Sequence, residues 1–239
     1  MSGHSKWHNI QGRKGKQDAK RSASYSKFSK LISVAARSGG DPSSNFSLRL
    51  AIDRAKMAGV PRDNIERAIK SGTGELKGNQ IEEQMYEGYG PGGVAVLIKT
   101  VTDNKNRTIS EIKHILSKNG GSMGGNGSVQ WMFNLWGTAM VDKSAIDNMD
   151  EFEMSLIDAG VQDIVPIGES ELQIKTNVEN LQSVLAKLKE MNREIKDSGL
   201  EWMPKDLVPI SSEVENRLNN IFAELEDHDD VEDFYTNAG

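Results

Sequence analysis

The residues best placed to do chemistry in this chain are lysines and arginines spaced to neutralise phosphates. Residues 3–37 (GHSKWHNIQGRKGKQDAKRSASYSKFSKLISVAAR) carry Lys6, Arg13, Lys14, Lys16, Lys20, Arg21, Lys27, Lys30 and Arg37 against the single acid Asp18. That is a surplus of +8 at the start of a chain whose formal net charge is −6. Extended to Lys70 the surplus is +10, which leaves −16 on the remainder. Charge sorted this sharply implies an anion-seeking end and a body that avoids the same anion, and a nucleic-acid backbone is the anion of that scale. Trp7 and His8 add flat rings that stack on bases or sit beside phosphates. The nucleic-acid-binding set read from the sequence is therefore Lys6, Trp7, His8, Arg13, Lys14, Lys16, Lys20, Arg21, Lys27 and Lys30.

No other pattern assembles a reaction centre. His4 and His8 have the i, i+4 spacing of a zinc pair, but glycines break the segment and no third ligand follows, so no metal is expected. Residues 120–128 (GGSMGGNGS) mimic a phosphate cradle. A nucleotide loop runs strand, glycines, helix; here the glycines follow a predicted helix and precede a predicted strand. A mobile polar loop is expected there, open to RNA contact. No Gly-x-Ser-x-Gly elbow occurs, and His114 reads as a partly buried structural residue of a helix. No catalytic residue, cofactor or small-molecule substrate is expected. Cysteine is absent, which removes disulfides, thiolate metal sites and a Cys nucleophile. The longest aliphatic run, residues 94–98, is far too short to span a bilayer, so no membrane association is expected. Residues 224–233 (ELEDHDDVED) hold seven acids in ten. They read either as a solvated helix end or as a mask over the basic domain that nucleic acid displaces.

The elements that position these residues follow from periodicity. Asp18 is placed to cap a helix in which Tyr25, Phe28, Leu31, Ile32 and Ala35 share one face. Lys16, Lys20, Lys27, Lys30 and Arg37 then fall within an arc of about 100° turned away from that face, with Arg21 the exception. The glycine-broken residues ahead of the helix read as an arm that orders on its target. Helices over 46–58 and 61–70 complete a small basic three-helix domain, residues 1–74, with a thin, Ala-rich core and a linker reaching residue 79. A glycine-rich turn then leads to a buried strand, 94–101. Next come a helix, 107–118, capped by Asp103 or Asn104 with Ile109, Ile112 and Leu116 inward, and a strand, 129–133. Strand 139–141, helix 148–159, strands 161–166 and 171–176, helix 178–191 and strand 199–203 have the βαββαβ order of a ferredoxin-like unit. A last helix, 211–226, and a strand, 231–235, supply an αβ pair to the preceding region. The expected fold class is α+β: a basic three-helix N-terminal domain plus two α/β domains. The ferredoxin-like one (135–206) is inserted into the other (80–134 and 207–239).

Five motifs in register make the chain similar to the YebC/PmpR family: GHSKWHNI (3–10), PRDNIERAIKSG (61–72), YEGYGPGGVA (86–95), TDNKNRT (102–108) and GSVQWMF (127–133). The resemblance is close over the first 135 residues and one of layout beyond them. It implies a helical N-terminal domain and two α/β domains, one inserted in the other, and it brings no catalytic residue. Eukaryotic members are mitochondrial translational activators of a cytochrome oxidase subunit. Members are widely described as DNA-binding transcriptional regulators; others resemble translation factors that act on the ribosome, in particular at proline runs. With GHSKW beginning at Gly3 there is no room expected for a presequence, so a bacterial cytoplasmic protein is expected. The expected function is a non-enzymatic nucleic-acid-binding regulator of gene expression. Its target is DNA in the family's usual description, with ribosomal RNA on the ribosome as the alternative and a protein-interaction scaffold as a second alternative. The absence of an evident base-reading helix or dimer heptad leans towards RNA.

Overall fold

Four helices begin where a short polar side chain takes up a free backbone N–H. Asn45, Asn104, Asn148 and Ser211 accept from Leu48, Arg107, Glu151 and Val214 in turn. The computed structural model describes residues 19–76 and 81–239, with side chains from Tyr25 onward except that of Ala145. It is a mixed α+β chain with helices at its start and two four-stranded sheets. By contact it divides into two compact units, Met1–Phe133 with Pro204–Gly239, and Asn134–Met203.

In the first unit, α1 (Ala19–Ala36), α2 (Phe46–Met57) and α3 (Arg62–Gly72) enclose Ile32, Leu48, Ile52, Val60 and Ile65 together with Ala36, Ala55 and Ala68. Small residues let the axes approach closely. A Cβ on Gly72, the last residue of α3, would collide with the Ser33 carbonyl and the Ala36 side chain. The Ser33 hydroxyl donates to the Ala68 carbonyl at 2.9 Å across the same contact.

The sheet of this unit has the order β3-β1-β2-β8 and is built from β1 (Glu82–Tyr89), β2 (Ala95–Thr102), β3 (Ser122–Met123) and β8 (Val231–Thr236). β1 runs antiparallel to β2 from Glu82↔Thr102 to Tyr89↔Ala95, and β8 pairs with the other edge of β2. α4 (Lys105–Lys118) and α7 (Ser212–Glu226) cover it. Val96 and Ile98 of β2 meet Ile112 and Leu116 of α4 and Leu218, Ile221, Phe222 and Leu225 of α7. Seven of the eight β2 residues are buried, Lys99 being the exception, which is why this strand reads as a continuous apolar run.

Three expectations change here. The glycine-rich stretch read as a turn before residue 94 is mostly strand β1, and the turn is confined to residues 91–93, where Gly92 and Gly93 take φ of 75° and 76°. Gly88 sits inside β1 because a Cβ there would come within 2.8 Å of both Leu116 and the Ser122 carbonyl. The strand expected over 129–133 is a 3-10 turn, Gln130–Met132, since its backbone donors are drawn elsewhere. Ile109, expected inward, is 42% exposed, and the inward place on α4 belongs to Thr108.

The second unit runs β4 (Phe133–Asp142), α5 (Met149–Ile157), β5 (Val161–Ile167), β6 (Glu171–Thr176), α6 (Leu181–Glu190) and β7 (Ile195–Pro204). Its sheet order is β5-β6-β4-β7, with β6 antiparallel to both neighbours, the arrangement of a ferredoxin-like βαββαβ unit. Ala139, Val141, Leu172 and Ile174 are buried with Phe152, Leu156, Leu181, Val184 and Leu188 of the two helices. The opposite face of β4, β6 and β7 carries paired charges. Thr138 and Gln173 both donate to Glu201, and Lys196 lies 3.0 and 3.2 Å from Asp142 and Glu171.

Candidate nucleic-acid interface

α1 is a helix of 18 residues without Gly or Pro, and its cationic face is the place to look for phosphate contacts. Lys6, Trp7, His8, Arg13, Lys14 and Lys16 lie outside the described residues, as does the expected cap Asp18. Lys20 and Arg21 belong to the first turns of α1, and their side chains also fall outside the description. Lys27 and Lys30 do not present free cations. The Lys27 ammonium donates to the Glu226 carbonyl at 2.9 Å; Lys30 donates to the Asp229 carbonyl at 3.1 Å and to the Asp230 carboxylate at 2.7 Å. Burial lowers the Lys27 pKa from its ordinary value even though Asp229, Glu226 and Asp227 pull it upward. The expected row of outward lysines thus meets an acidic turn of its own chain at two positions.

That turn is held by Asp230, whose side chain is 2% exposed. One carboxylate oxygen takes Lys30, and the other takes Arg107 at 2.7 Å, the Thr108 hydroxyl at 2.8 Å and the Thr102 hydroxyl at 3.0 Å. Burial alone would raise this carboxyl, but hydrogen bonds from Lys30, Arg107 and Thr108 outweigh it and hold the group well below the usual carboxylate range. Val101 donates its backbone N–H to the Asp230 carbonyl, so the turn is also stitched to β2. A second ion pair lies alongside. Glu232 receives Lys99 at 2.8 Å and Arg54 at 4.0 Å, joining α2 to the sheet, and burial raises its carboxyl despite Lys99. Residues 224–233 are therefore more than a solvated helix end: Glu226, Asp227 and Asp229 are exposed, but Asp230 is buried and the segment contacts Lys27 and Lys30 of the basic helix. They are the end of α7, a buried anchor and the start of β8.

Glu111, His228 and Asp230 bring three potential ligand atoms within 4.8 Å of one another. Their charges and lone pairs already have partners. The His228 Nδ1 accepts the Asp230 N–H at 3.0 Å, its Nε2 faces Glu111 at 3.0 Å, and an ammonium and a guanidinium occupy Asp230. The open cleft beside them, about 850 Å³, is lined by Lys30 and Arg107 against Asp103, Glu111, Asp227, Asp229 and Asp230, a wall that repels phosphate. His114, expected to be partly buried, is exposed on α4.

The glycine loop after α4 has a buried carboxylate at its centre. Glu87 of β1, 6% exposed, accepts the backbone N–H groups of Gly127 at 2.6 Å, Val129 at 2.7 Å and Gln130 at 2.8 Å. Burial would raise this carboxyl; the backbone bonds from Val129, Gly127 and Gln130 more than offset it and lower the pKa. Tyr89 donates its hydroxyl to the Ser128 carbonyl at 3.0 Å, and Trp131 donates its indole N–H to the same oxygen at 3.1 Å. The loop expected to be mobile is pinned, and at its end Trp131 stands 64% exposed. Sequence reasoning missed this site because Glu87 lies 40 residues from the loop it holds. Replacing Glu87 with Gln is expected to cost about 2–4 kcal/mol, since three donors lose a charged acceptor and one faces an amide N–H. Thermal melts of the two proteins check it. The wild-type advantage should be full above the ordinary glutamate pKa and shrink as pH falls through the lowered native value, because protonation of the folded state removes the same acceptor.

Comparison with known proteins places these features. Residues 5–75 match the family model described as TACO1/YebC protein N-terminal domain, and residues 81–238 match that described as TACO1/YebC second and third domain. A protein of Maridesulfovibrio salexigens named "Probable transcriptional regulatory protein" is 47% identical over 238 residues, covering 100% of this chain and 95% of its own length. One of Kosmotoga olearia with the same name is 48% identical, covering 99% and 94%. The crystal structure of a conserved hypothetical protein from Aquifex aeolicus has a TM-score of 0.86 at 39% identity, covering 95% of this chain and 93% of that one. The relatives' names support a regulatory role. Among the described residues no helix is long and apolar enough to cross a membrane.

Proposed function

The chain belongs to the TACO1/YebC family, and on that premise we propose that it is a non-enzymatic, nucleic-acid-binding regulator of gene expression. One observation carries the reading: a surplus of +8 over residues 1–37 of a chain whose total is −6. In this reading residues 1–74 are the binding domain, and residues 80–134 with 207–239 and the inserted 135–206 are the acidic α/β body. The phosphate contacts are Lys6, Arg13, Lys14, Lys16, Lys20 and Arg21, with Trp7 and His8 stacking. Lys27 and Lys30 serve the fold instead, through residues 226–230.

The relatives' name points to transcription and hence to DNA. A second reading, ribosomal RNA on the ribosome, is favoured by α3. Its exposed surface sets Asp63 and Glu66 among Arg62, Asn64, Arg67 and Lys70, and Arg62 is tied to Glu66 at 2.7 Å. Acids at those positions oppose entry of this helix into a major groove, where base-edge contacts are made. Ultraviolet crosslinking in growing cells, with DNA and RNA recovered from one purification, tests both readings. Crosslinks clustered in ribosomal RNA establish the second, crosslinks clustered at promoters establish the first, and no enrichment of either nucleic acid removes both.

A further inference from the structure

We propose that Trp131, at the end of the glycine loop, is a stacking platform for an unpaired nucleobase, a second contact that works alongside the basic arm. The inference rests on the nucleic-acid reading above and adds a site of different chemistry to it.

Tryptophan is highly buried on average, whereas this one is 64% exposed. Its polar handle is already used: the indole N–H is bonded to the Ser128 carbonyl at 3.1 Å, so what remains to offer is the ring face. The ring is also held in place. Ser128 is fixed from the other side by the Tyr89 hydroxyl, and its flanking backbone is fixed by the Glu87 carboxylate. An aromatic side chain anchored in this way gives up little rotational freedom when a flat partner settles on it.

Charge selects among partners. From Asn119 to Val141 the chain has no charged residue, in a protein that is 27% charged and carries −16 beyond Lys70. The segment that carries Trp131 therefore adds no anionic side chain of its own, unlike the lining of the cleft beside Asp230. The loop is not a phosphate site in its own right, because the N–H groups of Gly127, Val129 and Gln130 all point to Glu87. An uncharged ring face fits the π-face of a base, and a base is available for stacking only where it is unpaired. Duplex DNA, with its bases stacked on each other, is a poor ligand for it.

The experiment measures anisotropy of a fluorescein-labelled, unstructured RNA of about a dozen nucleotides, long enough for one single-strand site, and of a matched DNA duplex. It compares wild type, Trp131→Ala and Trp131→Phe over a salt series. Loss of one stacked base should weaken single-strand binding about 5- to 150-fold in the alanine variant. The phenylalanine variant should recover most of that loss. Duplex affinity and the salt slope should stay as in wild type, because no charge has changed. Wild-type affinity of the alanine variant for the single strand would overturn the stacking role while leaving the arm reading intact. An alanine variant that binds naked RNA normally but loses purified ribosomes would overturn it in favour of a protein contact. A wild-type protein with no salt-dependent binding to either probe would remove the parent reading as well.

Discussion

Replacing Asp230 with Ala is expected to destabilise the protein by about 3–5 kcal/mol, the usual cost of stripping one member from a buried ion-pair cluster. For a chain of this size that lowers Tm by about 10 °C. The reason lies in what remains after the substitution. Lys30 keeps an ammonium with 19% side-chain exposure and no anion, while the Thr102 and Thr108 hydroxyls and the Arg107 guanidinium lose a shared acceptor. Asp230→Asn should fare little better, because its amide N–H would face a cation. Asp229, one residue away and exposed, contributes its backbone carbonyl to Lys30, so Asp229→Ala should cost well under 1 kcal/mol. The pH dependence follows from the same geometry. A native carboxyl held far below its unfolded pKa binds fewer protons than the unfolded one, so stability rises with pH through the acid range. The Asp230 contribution is complete above about pH 4 and disappears as pH falls towards the native value. Thermal melts from acid to neutral pH check both statements. A Tm unchanged by Asp230→Ala would mean that the cluster is decorative.

Much of this organisation was legible in the sequence wherever cause and effect lie within a few residues. The cap expected at Asp103 or Asn104, which falls on Asn104, the continuous apolar run of β2 and the βαββαβ order of the second unit are local signals, and each has its structural counterpart. The misreadings share the opposite property. Thr108 turns inward and Ile109 outward because Asp230, 122 residues away, needs a hydroxyl there. Residues 129–133 are not strand because Glu87 draws the N–H groups of Val129 and Gln130. Gly88 looked like turn material, but its lack of a side chain makes room for Leu116 across a strand. The candidate site divides in the same way. The basic arc of α1 is a short-range pattern and can be counted, whereas the acids that engage Lys27 and Lys30 arrive 199 residues later. An acidic run read alone looks solvated; only the β2–β8 register shows that it is anchored.

This division decides how the arm has to be tested. Charge reversal at Lys16, Lys20, Lys27 and Lys30, the choice that helical periodicity suggests, would place carboxylates at positions 27 and 30 against Glu226, Asp229 and Asp230. Such a protein would lose binding and stability together, and the loss of binding would carry no information. The informative variant replaces Lys14, Lys16, Lys20 and Arg21 with Gln. On duplex DNA each phosphate contact contributes about −0.9 to the slope of log K against log salt, so losing four should flatten the slope by about 3.6 and weaken binding about 10³-fold near 0.1 M salt. The same change on a single strand should be smaller, about 2.8 in slope. The expected Tm is that of wild type, whereas Lys27→Glu with Lys30→Glu should melt early, as Asp230→Ala does. A quadruple variant with an unaltered salt slope would show that the +8 of the arm does not contact phosphate, and the acidic body would then be the place to look for partners.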